Sequence, residues 1–336
     1  MTEAVGFKDK EGEYIMEILK ELSNIGIIPV VKINDATKAV SLAKALADGG
    51  LNAAEITFRT DAAEESINLI CKACPDTLVG AGTVLTIDQA QRAVNAGAKF
   101  IVSPGFNPKV VKWCLDNGVT PLPGCTSPSE IEQALEFGLN VVKFFPAEQS
   151  GGLAKIKAMS APYGGIKFMP TGGISLDNMN SYLCDKSIIA CGGSFMVKES
   201  FIDNENWVEI TKLTKQAVDT MLGLDIGHIG INHENADAAK VTADMLSLIM
   251  GKEIERESEK GMFVSSQFEL MKSMGRGKCG HIAIVTNSVD RAVYHLSARG
   301  IKFDDSTAMY NSNGTRKFIY LTEEYGGFGI HLVQKN

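Results

Sequence analysis

Eight short apolar runs alternate with longer segments of helical period between residues 27 and 191. This alternation is typical of parallel strands that are joined by helices. Eight strands suggest closure into a (β/α)8 (TIM) barrel, an α/β fold. An open doubly wound sheet shares the same alternation and is the alternative. The predicted strands span residues 28–32, 53–57, 79–82, 100–103, 120–123, 141–144, 167–170 and 189–191.

The chain of 336 residues is longer than one barrel of about 200–250 residues requires. The sequence changes near Gly223 into an internal repeat, in which a Gly-His-Ile peptide begins at Gly227 and again at Gly280. Each copy continues with a helical segment and short strands, which predicts two βαβββ units. We therefore predict a barrel over residues 1–222 and a smaller α+β domain of paired βαβββ units over residues 223–336.

The composition excludes several classes of function. The net charge of −7 and the lack of a basic run with interleaved aromatic residues argue against a nucleic-acid partner. The charged beginning of the sequence, and the absence of about 18 consecutive apolar residues, argue against secretion and a membrane partner. Seven scattered cysteines indicate a reducing compartment rather than a disulfide framework. We expect a cytoplasmic protein with a small-molecule substrate.

Reacting groups in barrel enzymes lie at the carboxyl ends of the strands. Lys143 lies within an apolar strand, where desolvation lowers the pKa of an amine and keeps it nucleophilic. Glu55 and Thr57 share one face of the second strand, and Arg59 follows at its mouth. Glu55 could relay protons while Arg59 binds a carboxylate. The alternatives are a lysine that points out of the barrel and a structural Glu–Arg pair.

Glycine-bearing segments follow the last two predicted strands, at Gly172–Gly173 and at Gly192–Gly193. In barrels the loops after strands seven and eight bind phosphate through their backbone amides. We predict a phosphate or other anion site there, against the alternative of tight turns without a ligand.

Six short motifs occur in the order found in one known family. The chain over about residues 27–197 resembles the 2-keto-3-deoxy-6-phosphogluconate (KDPG) and 4-hydroxy-2-oxoglutarate (KHG) aldolases. The motifs are Glu-x-Thr-x-Arg-Thr from residue 55, Gly-Ala-Gly-Thr-Val from 80, Ser-Pro-Gly from 103, Lys-Phe-Phe-Pro-Ala-Glu from 143, Pro-Thr-Gly-Gly-Ile from 170 and Gly-Gly-Ser from 192.

The resemblance implies a class I aldolase that acts without a cofactor and forms a homotrimer. Its reaction would be reversible cleavage of KDPG to pyruvate and glyceraldehyde 3-phosphate, of KHG to pyruvate and glyoxylate, or of both. An epimerase or isomerase barrel would share the phosphate loops but would not need the lysine. By resemblance, the site residues are Lys143 as the Schiff-base lysine, Glu55 as the general acid and base, Arg59 and Thr83 as carboxylate binders, Pro104 and Phe145 as the pocket wall, and Gly172, Gly173, Gly193 and Ser194 as phosphate ligands.

Four side chains of the second domain fall at or near comparable strand positions of the two repeats: His228, Glu269, His281 and His331. Three imidazoles and a carboxylate suit a divalent transition metal. The paired units resemble the vicinal oxygen chelate (glyoxalase-like) superfamily, whose members usually have Glu where this chain has His331. A metal-dependent epimerase or lyase, which would make the protein bifunctional, and a non-catalytic module are both open readings. We predict His233 and His295 to be surface residues.

Overall fold

A computed structural model describes residues 3–335 of the chain, with side chains from Glu13 onwards. The chain divides into two compact units, Met1–Met221 and Leu222–Asn336. In the described part of the chain, no helix has both the length and the apolar character that crossing a bilayer requires.

In its described residues, the first unit contains eight short parallel strands. They are β1 (Ile27–Val31), β2 (Ala53–Thr57), β3 (Leu78–Gly82), β4 (Phe100–Val102), β5 (Thr120–Leu122), β6 (Val141–Phe144), β7 (Lys167–Pro170) and β8 (Cys191–Gly193). All but the exposed first residue of β7 and the half-exposed Val30 are buried. Burial on both faces explains why these strands are continuous apolar runs in the sequence.

The strands follow one another in a closed order. One sheet has the order β5-β4-β3-β2-β1-β8, and a second sheet pairs β6 with β7. Two parallel bridges join the sheets: Gly124 pairs with Lys143 next to β5, and Thr171 pairs with Gly192 next to β7. The eight strands therefore have the cyclic order of a barrel, and β2 and β6 face each other because they are four strands apart.

One helix precedes β1, seven connect successive strands and two follow β8 in the described residues. They are α1 (Glu3–Ile25), α2 (Ala39–Asp48), α3 (Ala63–Ala73), α4 (Ile87–Asn95), α5 (Pro108–Asp116), α6 (Pro128–Glu136), α7 (Gly152–Ser160), α8 (Met179–Leu183), α9 (Glu199–Asp203) and α10 (Trp207–Leu222). Side-chain caps fix several of their starts. Asn107 caps α5 with a proline in its first turn, and Ser127 forms a capping box with Glu130 at α6.

The sequence-based prediction of the eighth strand was displaced. The apolar run 189–191 predicts a strand there, but the strand that pairs with β1 is Cys191–Gly193. Gly192 has no room for a side chain, because a Cβ there would lie 2.3 Å from Thr171 Oγ1. Gly193 pairs with Pro29 of β1, so it is the last strand residue rather than part of the following loop. Helix α1 was not predicted at all.

Up to residue 335, where the described part of the chain ends, the second unit contains two helices and eight strands. In chain order these are β9 (Asp225–Asn232), α11 (Ala236–Met250), β10 (Ile254–Glu257), β11 (Gly261–Val264), β12 (Phe268–Met271), β13 (Gly280–Thr286), α12 (Val289–Ala298), β14 (Phe303–Tyr310), β15 (Arg316–Tyr325) and β16 (Phe328–Gln334). The strands form one sheet in the order β10-β11-β12-β9-β13-β16-β15-β14. The two central strands, β9 and β13, are antiparallel.

The core of the second unit lies between the sheet and its helices. Ala239 and Ala243 of α11 pack with Met262, Val264 and Leu270. The small alanines allow the helix to approach the sheet closely. The prediction that His295 is a surface residue was wrong: it lies on the buried face of α12 and is 3% exposed. His233 is half-buried, and its Nε2 lies 2.8 Å from Thr242 Oγ1.

Candidate active site

Lys143 of β6 and Glu55 of β2 meet inside the barrel. The Lys143 Nζ atom lies 3.3 Å from Glu55 Oε1, although the two residues are 88 positions apart in the sequence. Lys143 is 5% exposed and Glu55 is fully buried. The other carboxylate oxygen, Glu55 Oε2, has no hydrogen-bond partner in the described structure. A buried carboxylate oxygen without a partner is rare, and it leaves an acceptor free for a hydroxyl group or a water.

Glycines in β3 make room for this pair. A Cβ atom on Gly82 would lie 2.1 Å from Glu55 Oε1, and one on Gly80 would lie 2.2 Å from the Phe100 ring. Because Gly82 pairs with Thr57, its backbone lies beside the strand that carries Glu55. The glycine-rich third strand therefore lets the Glu55 carboxylate occupy the barrel interior.

Phe145 approaches the lysine amine with its ring, whereas Pro104 approaches Gly124 with its backbone. The ring centroid of Phe145 is 5.4 Å from Lys143 Nζ, and the Phe145–Pro146 peptide bond is cis. Pro104 approaches through its backbone: a Cβ atom on Gly124 would lie 2.1 Å from the Pro104 carbonyl oxygen. Gly124 in turn pairs with Lys143. Both predicted wall residues are therefore near the lysine strand, one by its ring and one by its main chain.

Arg59 and Thr83 form a second polar pair, in the segments that follow β2 and β3. The Arg59 Nε atom donates to Thr83 Oγ1 at 3.3 Å. Thr83 has a φ of 56°, an unusual value for a β-branched residue. Such strain clusters at functional sites. Arg59 is exposed, so its guanidinium is accessible to a ligand.

The segments that follow β7 and β8 lie side by side. Thr171 pairs with Gly192, and Gly172 and Gly173 have positive φ values of 100° and 79°. Glycine adopts such values without strain. Gly193 is buried at the end of β8, while Ser194 just beyond it is exposed. The predicted phosphate ligands therefore belong to two adjoining segments. The segment after β7 carries Gly172 and Gly173, and the other begins with Gly193, the last residue of β8.

Sequence reasoning missed a pair of side chains beside these glycines. The hydroxyl of Tyr182 in α8 donates to Glu148 Oε1. Glu148 ends the Lys-Phe-Phe-Pro-Ala-Glu motif, so a motif signal existed for it. No signal marked Tyr182, which is 2% exposed and reaches Glu148 only through the tertiary fold.

The structure brings three of the four predicted metal ligands of the second unit together. His228 Nε2 and His281 Nε2 lie 3.3 and 3.2 Å from Glu269 Oε2, and 3.1 Å from each other. Their ligand atoms are all within 4.8 Å of one another. His331 does not join this group. Its ring lies 5.1 Å from that of His281, centroid to centroid.

Electrostatics distinguish Glu269 from His331. Burial opposes the charge on Glu269, but hydrogen bonds from His228 and His281 outweigh it and hold the pKa of Glu269 at about 2. Burial, followed by repulsion from His281 and His228, lowers the pKa of His331 to about 3. His331 Nδ1 is buried without a hydrogen-bond partner in the described structure. The group of His228, Glu269 and His281 therefore offers one carboxylate and two imidazoles, the donor types that bind zinc and related metals.

Comparison with known proteins identifies the first unit. The family model described as KDPG and KHG aldolase matches residues 15–213. The 2-dehydro-3-deoxy-phosphogluconate aldolase of Treponema pallidum (strain Nichols) is 48% identical over 204 residues, which are 61% of this chain and 97% of that protein.

Solved structures agree with this match. A KDPG aldolase from Legionella pneumophila, with pyruvate captured at low pH as a covalent carbinolamine intermediate, has 38% identity and a TM-score of 0.58, covering 59% of this chain and 97% of that chain. The KDPG aldolase of Zymomonas mobilis ZM4 with 3-phosphoglycerate also has 38% identity, with a TM-score of 0.56 and coverages of 59% and 94%. The resemblance predicted from the sequence is confirmed: the chain belongs to the KDPG and KHG aldolase family.

Proposed function

We propose that the barrel is a class I aldolase that cleaves KDPG, KHG or both, with Lys143 as the Schiff-base lysine and Glu55 as its proton relay. One observation carries the assignment of residues. A buried amine lies 3.3 Å from a fully buried carboxylate whose second oxygen has no partner in the described structure. The names of the relatives support the reaction.

The geometry suits each step of this chemistry. Lys143 becomes nucleophilic by passing its proton to Glu55, and it attacks the C2 ketone to give a carbinolamine. Loss of water, with protons moved by Glu55, gives the imine. Glu55 then takes the proton of the C4 hydroxyl while the C3–C4 bond breaks, and the electron pair moves into the protonated imine. Protonation of the resulting enamine at C3 and hydrolysis release pyruvate and regenerate the amine.

The remaining groups would hold the two ends of the substrate. Arg59 and Thr83, which contact each other at 3.3 Å, would bind the carboxylate beside the ketone. Gly172, Gly173, Gly193 and Ser194 would bind the phosphate through amides and a hydroxyl. Pro104 and Phe145 would wall the pyruvate end. The 3-phosphoglycerate in the Zymomonas mobilis structure supports a phosphorylated substrate.

Reductive trapping tests the lysine. Borohydride added with pyruvate should reduce the imine and leave a stable mass increase on the peptide that contains Lys143. The Lys143→Met variant should show no increase, whereas Lys167→Met, which alters the exposed first residue of β7, should label as the unchanged protein does. Label on another lysine, or equal cleavage by Lys143→Met, would refute the assignment.

The same trap separates the aldolase from a phosphosugar epimerase or isomerase, which would form no adduct with pyruvate. Steady-state rates with KDPG and KHG would then establish the aldehyde half of the preferred substrate. We expect KDPG to have the higher kcat/KM, because the two glycine segments offer amides to a phosphate that KHG does not carry.

We further propose that residues 223–336 form a glyoxalase-like domain of paired βαβββ units that binds a divalent transition metal. Its sheet order and its two helix-containing repeats support the resemblance. Metal–ligand bonds of about 2.0–2.2 Å place neighbouring ligand atoms roughly 3.0–3.5 Å apart. The separations of 3.1–3.3 Å among His228, Glu269 and His281 fit that spacing.

A bound divalent ion would supply Lewis-acid catalysis, as an epimerase or lyase of this superfamily requires. In such a site Glu269 would neutralise one charge, and the two imidazoles would complete a three-residue set with open positions. His331 would be the fourth ligand only after a change of position, since its ring lies beside the set. A non-catalytic binding module remains the competing reading.

Metal content of the full-length chain tests this proposal. We expect about one equivalent of a divalent ion after incubation with zinc, nickel or cobalt and desalting. His228→Ala should lose it. The matched control is His233→Ala, because His233 lies just after the same strand and its Nε2 faces Thr242 rather than Glu269. Equal metal content in the two variants would refute the site.

We also propose a homotrimer in the cytoplasm, by resemblance to the family. Light scattering on the purified chain would test the trimer, and fractionation of cells would test the location.

A further inference from the structure

The glycines proposed to bind phosphate depend on the segment that follows the lysine strand. The amide of Ala147 donates to the Thr171 carbonyl at 2.8 Å, and the amide of Glu148 donates to the Gly172 carbonyl at 3.2 Å. The side chain of Glu148 lies directly against the loop, because a Cβ atom on Gly173 would be 2.5 Å from Glu148 Cγ. The position of Glu148 is therefore coupled to Gly172 through a backbone hydrogen bond and to Gly173 through side-chain packing.

Tyr182 holds Glu148 in place from the other side. Its buried hydroxyl donates to Glu148 Oε1 and also receives a backbone hydrogen bond from Leu153, at the start of α7. Burial and then the bond to Glu148 raise the pKa of Tyr182, so that the hydroxyl keeps its proton at neutral pH. The Tyr182 hydroxyl and Glu148 Oε1 both lie beside Gly152, at 3.0 and 3.3 Å from the position of a Cβ atom there.

The charge of Glu148 makes this contact consequential. A hydrogen bond to a charged acceptor is stronger than one between neutral groups, so the Tyr182 hydroxyl holds the Glu148 side chain firmly against the loop. The donated hydrogen bond from Tyr182 fixes the direction of one carboxylate oxygen. Glu148 is itself exposed, so without that bond its side chain would adopt several rotamers in solvent.

We propose that Tyr182 and Glu148 are positioning residues that set the Gly172–Gly173 loop for the phosphate of the substrate and so determine preference for phosphorylated over unphosphorylated keto acids. The inference rests on the proposed aldolase function. It does not involve the lysine chemistry, because neither side chain is needed to form the imine. It predicts that loss of the pair raises the KM for KDPG more than the KM for KHG.

The experiment compares Tyr182→Phe with the full-length parent. A hydrogen bond to a charged group corresponds to about one order of magnitude in an equilibrium. We therefore expect the ratio of kcat/KM for KDPG to that for KHG to fall by about tenfold, chiefly through the KM for KDPG. Labelling of Lys143 by pyruvate and borohydride should remain at the parent level.

A matched control exists on the surface. Tyr163 donates to Glu132 at 2.9 Å, so Tyr163→Phe removes the same kind of bond away from the glycine loops. It should leave the ratio unchanged. Glu148→Ala should lower the ratio as Tyr182→Phe does, and it provides the answer if the buried tyrosine variant does not fold. Glu148→Gln, which keeps an acceptor for the hydroxyl, should restore a ratio near that of the parent.

The outcomes are distinguishable. Parent protein that cleaves neither substrate and traps no pyruvate would overturn the proposed function itself. Parent protein that cleaves both, with Tyr182→Phe and Glu148→Ala retaining the parent ratio, would overturn only the positioning role. An equal loss on both substrates would also overturn it, because a general structural defect does not distinguish a phosphate.

Discussion

The ion pair between Lys143 and Glu55 should couple the two residues in stability as strongly as in catalysis. At their separation of 3.3 Å, two opposite charges attract by about 5 kcal/mol with an effective dielectric constant of about 20. Desolvation of both groups offsets most of that attraction. Removing one partner leaves the desolvation cost of the other in place. A single substitution should therefore lower the free energy of unfolding more than the double substitution does.

Lys143→Met keeps an unbranched side chain, one atom shorter, but leaves a fully buried Glu55 without its only described partner. We expect the free energy of unfolding of the barrel to fall by about 3–5 kcal/mol. In Lys143→Met/Glu55→Gln no buried charge remains. The double variant should therefore be more stable than Lys143→Met, by about 2 kcal/mol or more, even though it carries two substitutions.

Urea unfolding followed by tryptophan fluorescence measures the barrel alone, because both tryptophans, Trp113 and Trp207, lie in the first unit. The exposed pair Lys112–Asp116 in α5 is the control: Lys112→Met should cost less than about 1 kcal/mol. Additive effects of the single and double substitutions at Lys143 and Glu55 would refute the reasoning, since they would mean that the two side chains do not share one buried pair.

Three further predictions follow from single positions. Gly82→Ala should reduce kcat by at least about tenfold, because its Cβ would lie 2.1 Å from Glu55 Oε1; steady-state rates with intact far-UV circular dichroism would check this. Gly173→Ala should raise the KM for KDPG, because Gly173 has a φ of 79° and a Cβ atom there would clash with the Glu148 side chain. Gly164→Ala is the control and should leave this KM unchanged, because a Cβ atom at Gly164 has no neighbour within 4 Å. In metal-free protein, the free energy of unfolding of the second unit should fall by a few kcal/mol as the pH falls from 6.5 towards 3. Over this range His331 binds a proton in the unfolded chain but not in the folded chain, because its pKa is lowered to about 3 on folding. Urea unfolding monitored by NMR signals of the second unit should show a smaller loss for His331→Phe, and equal pH slopes would contradict the prediction.

Local patterns in the sequence predicted most of the barrel. Strands β2, β6 and β7 begin and end where their apolar runs predicted, because burial on both faces makes such runs continuous. The eighth strand was misplaced for the same reason. Its pairing with β1 uses only backbone groups of Cys191, Gly192 and Gly193, and two of these residues have no apolar side chain to signal a strand.

In the second unit, too, the sequence predicted some positions of the candidate site and not others. The repeat predicted that His228, Glu269 and His281 would converge, because equivalent strand positions of two similar units share one sheet face. It also predicted His331 in that group, but the ring packs between Phe318 and Tyr320, at centroid distances of 4.5 and 4.9 Å. Side-chain packing of that kind depends on neighbours from β15, which the spacing of the repeat does not describe.

The sequence by itself determined which residues can react, since strand alternation and motif order single out Lys143, Glu55 and the glycine segments without coordinates. Only the tertiary structure decided which groups share a proton or a hydrogen bond: Lys143 with Glu55 across the barrel, and Tyr182 with Glu148 beside the glycine loop. The physical reason is that strand and helix periodicities act over a few residues. A hydrogen bond between residues 34 or 88 positions apart depends instead on how whole elements pack.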